Sequence, residues 1–167
     1  MGSSAVSSAA SRPAALRLTS GPVAETTVYG TVTGTLSDTV SSNDQAETIV
    51  EALSSGNPSS RFSRLEHRWR FDVPAGRSVE LHVEGWRTRS PDGDAFSWEY
   101  STDGGGTWTP IAMAPFWIAD KDADRVVALP ASLAGPVWVR VVDTDRTAGN
   151  QALDEVAVDE LFVRSVP

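Results

Sequence analysis

An all-β fold, a two-layered jelly-roll β-sandwich, is what the sequence predicts, and three observations carry it. Apolar and polar residues alternate with period two in short runs. The runs recur about every 8–12 residues between Gly, Pro and acidic turns. No stretch sustains the 3.6-residue period of a long amphipathic helix. Counting the runs gives about eight or nine antiparallel strands, each sheet with one buried and one wet face.

Taken in order, the first 23 residues, MGSSAVSSAASRPAALRLTSGPV, are Ser/Ala-rich without a sustained period. Such a segment cannot bury enough apolar area to offset chain entropy, so residues 1–24 read as a disordered linker or appended tail, and Met1–Ser4 as an expression scar. A Ser/Ala/Pro linker of this kind suggests a domain from the downstream part of a longer protein. Residues 25–167 then form a single sandwich domain. Thr26 to Leu36 alternates β-branched residues with Gly and Thr, which favours a first strand near an edge. Ser37 to Pro58 is polar around Ile49-Val50, and its periodicity leaves helix or strand open. Leu65, His67, Trp69, Phe71 and Val73 share one face against Glu66, Arg68, Arg70 and Asp72. After Pro74-Ala75-Gly76, Val79, Leu81 and Val83 oppose Glu80, His82 and Glu84, and the two strands are expected to pair. Val126–Leu129, Val137–Val142 and Val156–Val163 supply the last strands.

The centre of the chain is a hairpin. Phe96, Trp98 and Tyr100 alternate with Ser97, Glu99 and Ser101, then Asp103-Gly104-Gly105-Gly106 breaks the run before Thr107-Trp108. The turn matches the Asp-box S-x-D-x-G-x-T-W at Ser101, Asp103, Gly105, Thr107 and Trp108. Sialidases and related propellers repeat this box along much longer chains; a single copy reads as a structural turn, with Asp103 accepting amides of its own loop.

The order LEHRWRFDVPAG, DAFSWEYSTDGGGTW, VWVRVVDTDRTAGN and ALDEVAVDELFV resembles galactose-binding-like jelly-roll accessory domains appended to secreted bacterial hydrolases and cell-surface proteins. It is also similar to the Asp-box-bearing jelly-roll subdomains of reelin-type extracellular repeats. The likeness covers Leu65 to Val163. It implies a non-catalytic, extracellular or cell-surface module of a kind that often binds calcium and often binds carbohydrate.

Composition excludes several roles. Fourteen basic against 22 acidic residues give a net charge of −8, which repels phosphate backbones and anionic membranes. Zero cysteines exclude disulfides, thiolate metal sites and cysteine nucleophiles. No G-x-S-x-G elbow, phosphate loop or H-E-x-x-H is present. Glu66, Glu80, Glu84 and Glu99 offer carboxylates for a glycosidase pair, but cross-strand pairing with Arg68, Arg70 or Arg140 accounts for them more simply. His67, on an apolar face, reads as a buried histidine satisfied by hydrogen bonds, and His82 as a residue of a polar face.

Two ligand chemistries remain. Calcium needs six to eight oxygen donors, and the expected set is Asp143, Asp145, Asn150 and Asp154 in the loop before the last strand, with Asp159 within that strand. A carboxylate on an apolar strand face requires a partner. Asp92 with Asp94, and the run Asp120, Asp122, Asp124, are further acidic clusters. The latter is not an EF-hand, since Arg125 stands where Gly is needed and Ala131 where Glu is needed. Solvated or turn-forming aspartates are the plain alternative for each. Of six tryptophans, Trp69 and Trp98 fall in phase with the core, Trp108 belongs to the hairpin, and Trp138 is out of phase with its strand. Trp86 and Trp117, with Arg87, are the candidates for stacking on a polysaccharide or surface glycan. The expected role is therefore attachment for a larger protein. A structural spacer or protein-interaction domain is the alternative.

Overall fold

The structure is a computed structural model describing residues 16–91, 93 and 95–167. Residues 1–15 of the expected tail, together with Asp92 and Asp94, lie outside the described residues. In chain order the strands are β1 (Leu18–Ser20), β2 (Ala24–Tyr29), β3 (Thr31–Thr33), β4 (Glu47–Val50), β5 (Ala52–Leu53), β6 (Ser63–Arg64) and β7 (Glu66–Val73). They continue with β8 (Ser78–Arg87), β9 (Phe96–Ser101), β10 (Thr109–Ile111), β11 (Arg125–Leu129), β12 (Gly135–Asp143) and β13 (Glu155–Val166). Two short 3-10 turns, Leu36–Thr39 and Pro58–Ser60, are the helical segments among the described residues.

Eight of these strands make the sandwich. The first sheet runs β11-β8-β13-β4 and the second β10-β9-β12-β7. From β7 to β8, from β8 to β9, and from β10 through to β13, each connection carries the chain across to the other sheet, which is the jelly-roll topology. The sheets are antiparallel throughout. The remaining strands are short: β3 extends the first sheet beside β4, β2 the second beside β7, β1 lies on β13, and β5 with β6 form a small ribbon. Among the described residues pairing thus begins at Leu18, inside the segment expected to be tail.

The alternation in the sequence sets the core. Trp69, Phe71 and Val73 of β7 face Val79, Leu81 and Val83 of β8 across the interior, with Val137, Val139 and Val141 of β12 and Leu161 and Val163 of β13 beside them, all buried. Trp69 and Trp98 stack with ring centroids 5.5 Å apart and 8° between planes. Expected core tryptophans are therefore core tryptophans. The expected pairing of β7 with β8 is not found. β7 pairs with β12 and β2, and β8 with β11 and β13, because Pro74-Ala75-Gly76 crosses between layers. Arg77 N–H docks on the Val166 carbonyl at 2.6 Å, and a Cβ on Gly76 would lie 2.6 Å from that oxygen. The run Thr26–Leu36 likewise divides at Gly30, whose φ of +111° turns the chain from the edge of one sheet to the edge of the other.

The central turn closes as expected. Asp103 Oδ1 accepts from the amides of Gly106 and Thr107, each at 2.9 Å, and from Ser101 Oγ at 2.7 Å; Oδ2 accepts from Thr107 Oγ1 at 2.8 Å. Trp108 lies over the guanidinium groups of Arg140 and Arg68, at 4.2 and 5.1 Å from its ring centre. The Thr107 amide, then the Ser101 and Thr107 hydroxyls, hold the Asp103 carboxyl well below its ordinary value of 3.8. A depressed folded-state value means stability that is present above the unfolded value and lost as pH falls through the folded one. Asp103→Ala is therefore expected to lower the melting temperature at neutral pH, and the gap to wild type should close as pH drops below about 4. A gap that stays constant down to acid pH contradicts this role.

Candidate functional site

The outer face of the first sheet carries the most unusual chemistry. On β8 the residues opposite the core row are Glu80, His82, Glu84 and Trp86. On β13 the ladder slips between Val158 and Glu160, a bulge that leaves Val158 and Leu161 both buried. Glu160 pairs with Glu84 and Phe162 with His82 on this outer face. The regular strand expected around Asp159 is corrected by that bulge. Asp159, 0% exposed, instead meets the loop before β4, where its Oδ2 accepts from the amides of Asn43 and Asp44 at 3.0 Å each.

Two loops cover this face. The first is anchored by a bridge between Val40 and Glu160 and carries Asp44 at φ +63°. The second runs from Trp117 to Asp124, with Asp120 Oδ1 accepting the Asp122 amide at 3.0 Å and Asp122 at φ +45°. Among the described residues these are the two non-glycine positions with positive φ. Holding side-chain-bearing residues there costs on the order of 1–3 kcal/mol each, and such strain gathers at ligand clamps. One carboxylate oxygen from each of Asp44, Asp120 and Asp122 lies within 4.8 Å of the others, and the same holds for Glu84, Asp124 and Glu160.

Charge repulsion links the two triads through Asp159. Burial raises the Glu84 carboxyl, and the charges of Asp159, Asp120 and Asp124 raise it further against a hydrogen bond from Ser42. Glu160 is raised by burial and then by Asp124 and Asp159. Asp44 is raised chiefly by the charge of Asp122. Of the basic groups, His82 lies 3.1 Å from Asp124 Oδ2, and His82 and Arg164 both act to lower Glu160. Most telling are Asp159 Oδ1 and Glu84 Oε1, which are sealed from solvent and receive no hydrogen bond. A buried carboxylate oxygen without a donor is costly unless a cation sits against it. Every donor here is a carboxylate oxygen, the ligand type that calcium takes.

The residues expected from sequence are distributed as follows. Asp143, Asp145 and Asn150 lie together and bond within their own loop. Asp143 Oδ1 accepts the Asp145 amide at 2.8 Å, Asp145 Oδ1 accepts the Thr147 amide at 2.7 Å, and Asn150 Nδ2 donates to Asp145 Oδ2. Asp143 Oδ2 also pairs with Arg146 at 3.3 Å. Asp154 sits instead beside β4 and β8, its amide donating to Glu51 Oε2 and its Oδ1 accepting from Thr88. Asp159 belongs to the outer-face cluster described above. Asp120, Asp122 and Asp124 join it there, whereas Asp92 and Asp94 fall outside the described residues.

Trp86 and Trp117 do come together. Their backbones form a parallel bridge, and the Arg87 amide donates to the Trp117 carbonyl at 2.9 Å. Both rings are half-buried, and Arg125 covers one face of Trp117 at 3.4 Å. Arg87 turns towards the interior, where with Phe96, Trp98 and Phe116 it lines a cavity of about 20 Å³. That volume takes one water and no sugar ring. A larger open cleft of about 480 Å³ lies between Tyr100, Thr102 and Thr109 on one side and Pro130 to Ala134 on the other. Sequence reading did not single it out. His82 departs from expectation as well: the loop carrying Asp124 covers it, leaving it 4% exposed, stacked on Phe162 and 3.1 Å from Asp124. Glu66 and Glu99 are tied by Arg140, as the cross-strand account expects.

No family model and no curated protein matches the chain. Among solved structures, it is similar to a family 61 carbohydrate-binding module in complex with β-1,4-galactotriose, at TM-score 0.43 and 10% identity over 84% of this chain and 86% of that one. Two variants of the family 29 carbohydrate-binding module CBM29-2 align at TM-scores 0.46 and 0.41, each with 9% identity over 86% of this chain and covering 86% and 92% of theirs.

Proposed function

We propose that this chain is a non-catalytic accessory module of the extracellular space or cell surface, binding calcium on the outer face of its first sheet and contributing glycan or surface attachment to a larger protein. The observation that carries the reading is the pair of sealed, donorless oxygens, Asp159 Oδ1 and Glu84 Oε1, on carboxylates whose charges couple to members of both triads. Asp44, Asp120 and Asp122 complete the donors from the covering loops. The ion does mechanical work: it pins both loops to the sheet and neutralises a face that otherwise repels itself.

Attachment rests on the half-buried Trp86 and Trp117: Trp86 follows Glu84 on the outer row of β8, and Trp117 opens the loop that carries Asp120, Asp122 and Asp124. Aromatic rings supply large, rigid contact area for the apolar faces of sugars. A glycan panel probed in excess calcium tests this. Trp86→Ala or Trp117→Ala is expected to weaken the bound glycan about tenfold, roughly 1.4 kcal/mol, with the melting temperature of the calcium-loaded chain nearly unchanged. Binding untouched by both but lost in Tyr100→Ala would move the sugar to the open cleft and sink the aromatic-pair assignment. No bound glycan at all would leave a spacer or protein-interaction domain.

A further inference from the structure

On the inner side of β4, opposite to the outer-face cluster, two carboxylates and an imidazole converge from both layers. Glu25 comes from β2 and His67 from β7 in the second sheet, and Glu47 from β4 in the first. His67 Nε2 lies 3.6 Å from Glu25 Oε2 and 3.6 Å from Glu47 Oε1, too far for hydrogen bonds. All three ligand atoms fall within 4.8 Å of one another. Glu47 is 0% and His67 1% exposed, and none of these three atoms has a hydrogen-bond partner outside the group. Among the described residues, neither carboxylate forms an ion pair with a lysine or arginine.

The other atoms of the same side chains are fixed. Thr27 Oγ1 bonds His67 Nδ1 at 2.9 Å, and Trp69 Nε1 donates to Glu47 Oε2 at 2.8 Å. With Nδ1–H donating to the threonine oxygen, the Nε2 lone pair points at the two glutamates. Outer partners of this kind are what orient metal ligands.

We propose that Glu25, Glu47 and His67 Nε2 form a site for a zinc-class divalent transition metal that staples the two sheets together here. Bonds of about 2.1 Å to nitrogen and oxygen, arranged tetrahedrally, put neighbouring ligand atoms about 3.4 Å apart. The observed 3.6 Å separations match that spacing. One nitrogen and two oxygens suit zinc, and three donors are too few for calcium. Glu25, 30% exposed, stands on the solvent side of the group, and a water is the fourth ligand that this site requires. In a chain without cysteines, a metal held by His and Glu is the staple available to it.

The test uses the whole chain, stripped with a chelator, returned to excess calcium so that the outer face is saturated, and titrated calorimetrically with zinc. One zinc per chain is expected, with affinity falling at least 100-fold in Glu47→Gln and in Glu25→Gln. Both changes keep side-chain volume, and circular dichroism confirms that each variant is folded. Thr27→Val removes the hydroxyl beside His67 without touching a ligand, and is expected to cost about 10–100-fold. Cobalt(II) in place of zinc should give the intense visible bands of four-coordinate geometry. Zinc affinity should be indifferent to Asp159→Asn, so loss of the calcium reading and loss of this one are told apart. Absence of zinc uptake, affinity unchanged in both Gln variants, or the pale spectrum of six-coordinate cobalt overturns the site.

Discussion

Removing calcium with a chelator is expected to lower the melting temperature by about 5–11 °C. A ligand that binds only the folded state stabilises by roughly 2.7 kcal/mol at 100 times its dissociation constant. For a domain of this size each kcal/mol is worth about 2–4 °C. The effect is specific to Asp159 and Glu84, because their sealed oxygens have no donor without the ion. Asp159→Asn keeps an oxygen for the Asn43 and Asp44 amides but removes the charge. It should melt no lower than wild type in chelator, since one buried repulsive charge has gone, and it should lose the calcium response. Paired thermal melts check both halves. A variant still stabilised by calcium as strongly as wild type would place the ion elsewhere.

The second large effect lies in the core. Trp69→Ala is expected to destabilise by about 3–5 kcal/mol from lost burial and the cavity left behind, or roughly 6–20 °C. Trp69 is fully buried, stacked on Trp98, and edge-on to His67 at 4.5 Å. Its Nε1 also donates to Glu47 Oε2 at 2.8 Å, so truncation strands a second buried carboxylate oxygen. Trp69→Phe separates the contributions: it keeps most of the ring and removes the N–H, for about 1–3 kcal/mol. Chemical denaturation of the two variants distinguishes them, and a Trp69→Phe variant as stable as wild type would mean that the Glu47 hydrogen bond contributes nothing.

The jelly-roll sandwich was legible because a half-buried strand writes its two faces into alternate residues. Leu65–Val73, Ser78–Glu84 and Val137–Val142 each declare which side chains go inward, and each does so. Pairing was less legible. Period two says that β7 and β8 have an apolar face, not that the Pro74–Gly76 connection carries the chain to the opposite sheet.

The site was legible in parts. Asp159 could be singled out because a carboxylate within an apolar strand demands a partner, and Asp120, Asp122 and Asp124 because they cluster in sequence. Their association with Asp44, Glu84 and Glu160 depends on a bulge after Val158 and on two loops folding over one sheet face, which no local pattern encodes. The alternating row Glu80, His82, Glu84 on β8, facing Glu160 across the ladder, was the available signal. It read as an ordinary wet face because period two cannot tell solvent from a covering loop. His67, Glu47 and Glu25 were still harder to connect, since they come from three strands in two sheets.

Calorimetric titration of calcium into wild type, Asp159→Asn and Asp145→Ala is the most direct check on the outer-face site. One ion bound by wild type and by Asp145→Ala, and none by Asp159→Asn, is the predicted result. Binding that survives in Asp159→Asn but disappears in Asp145→Ala would contradict it and return the metal to the loop before the last strand.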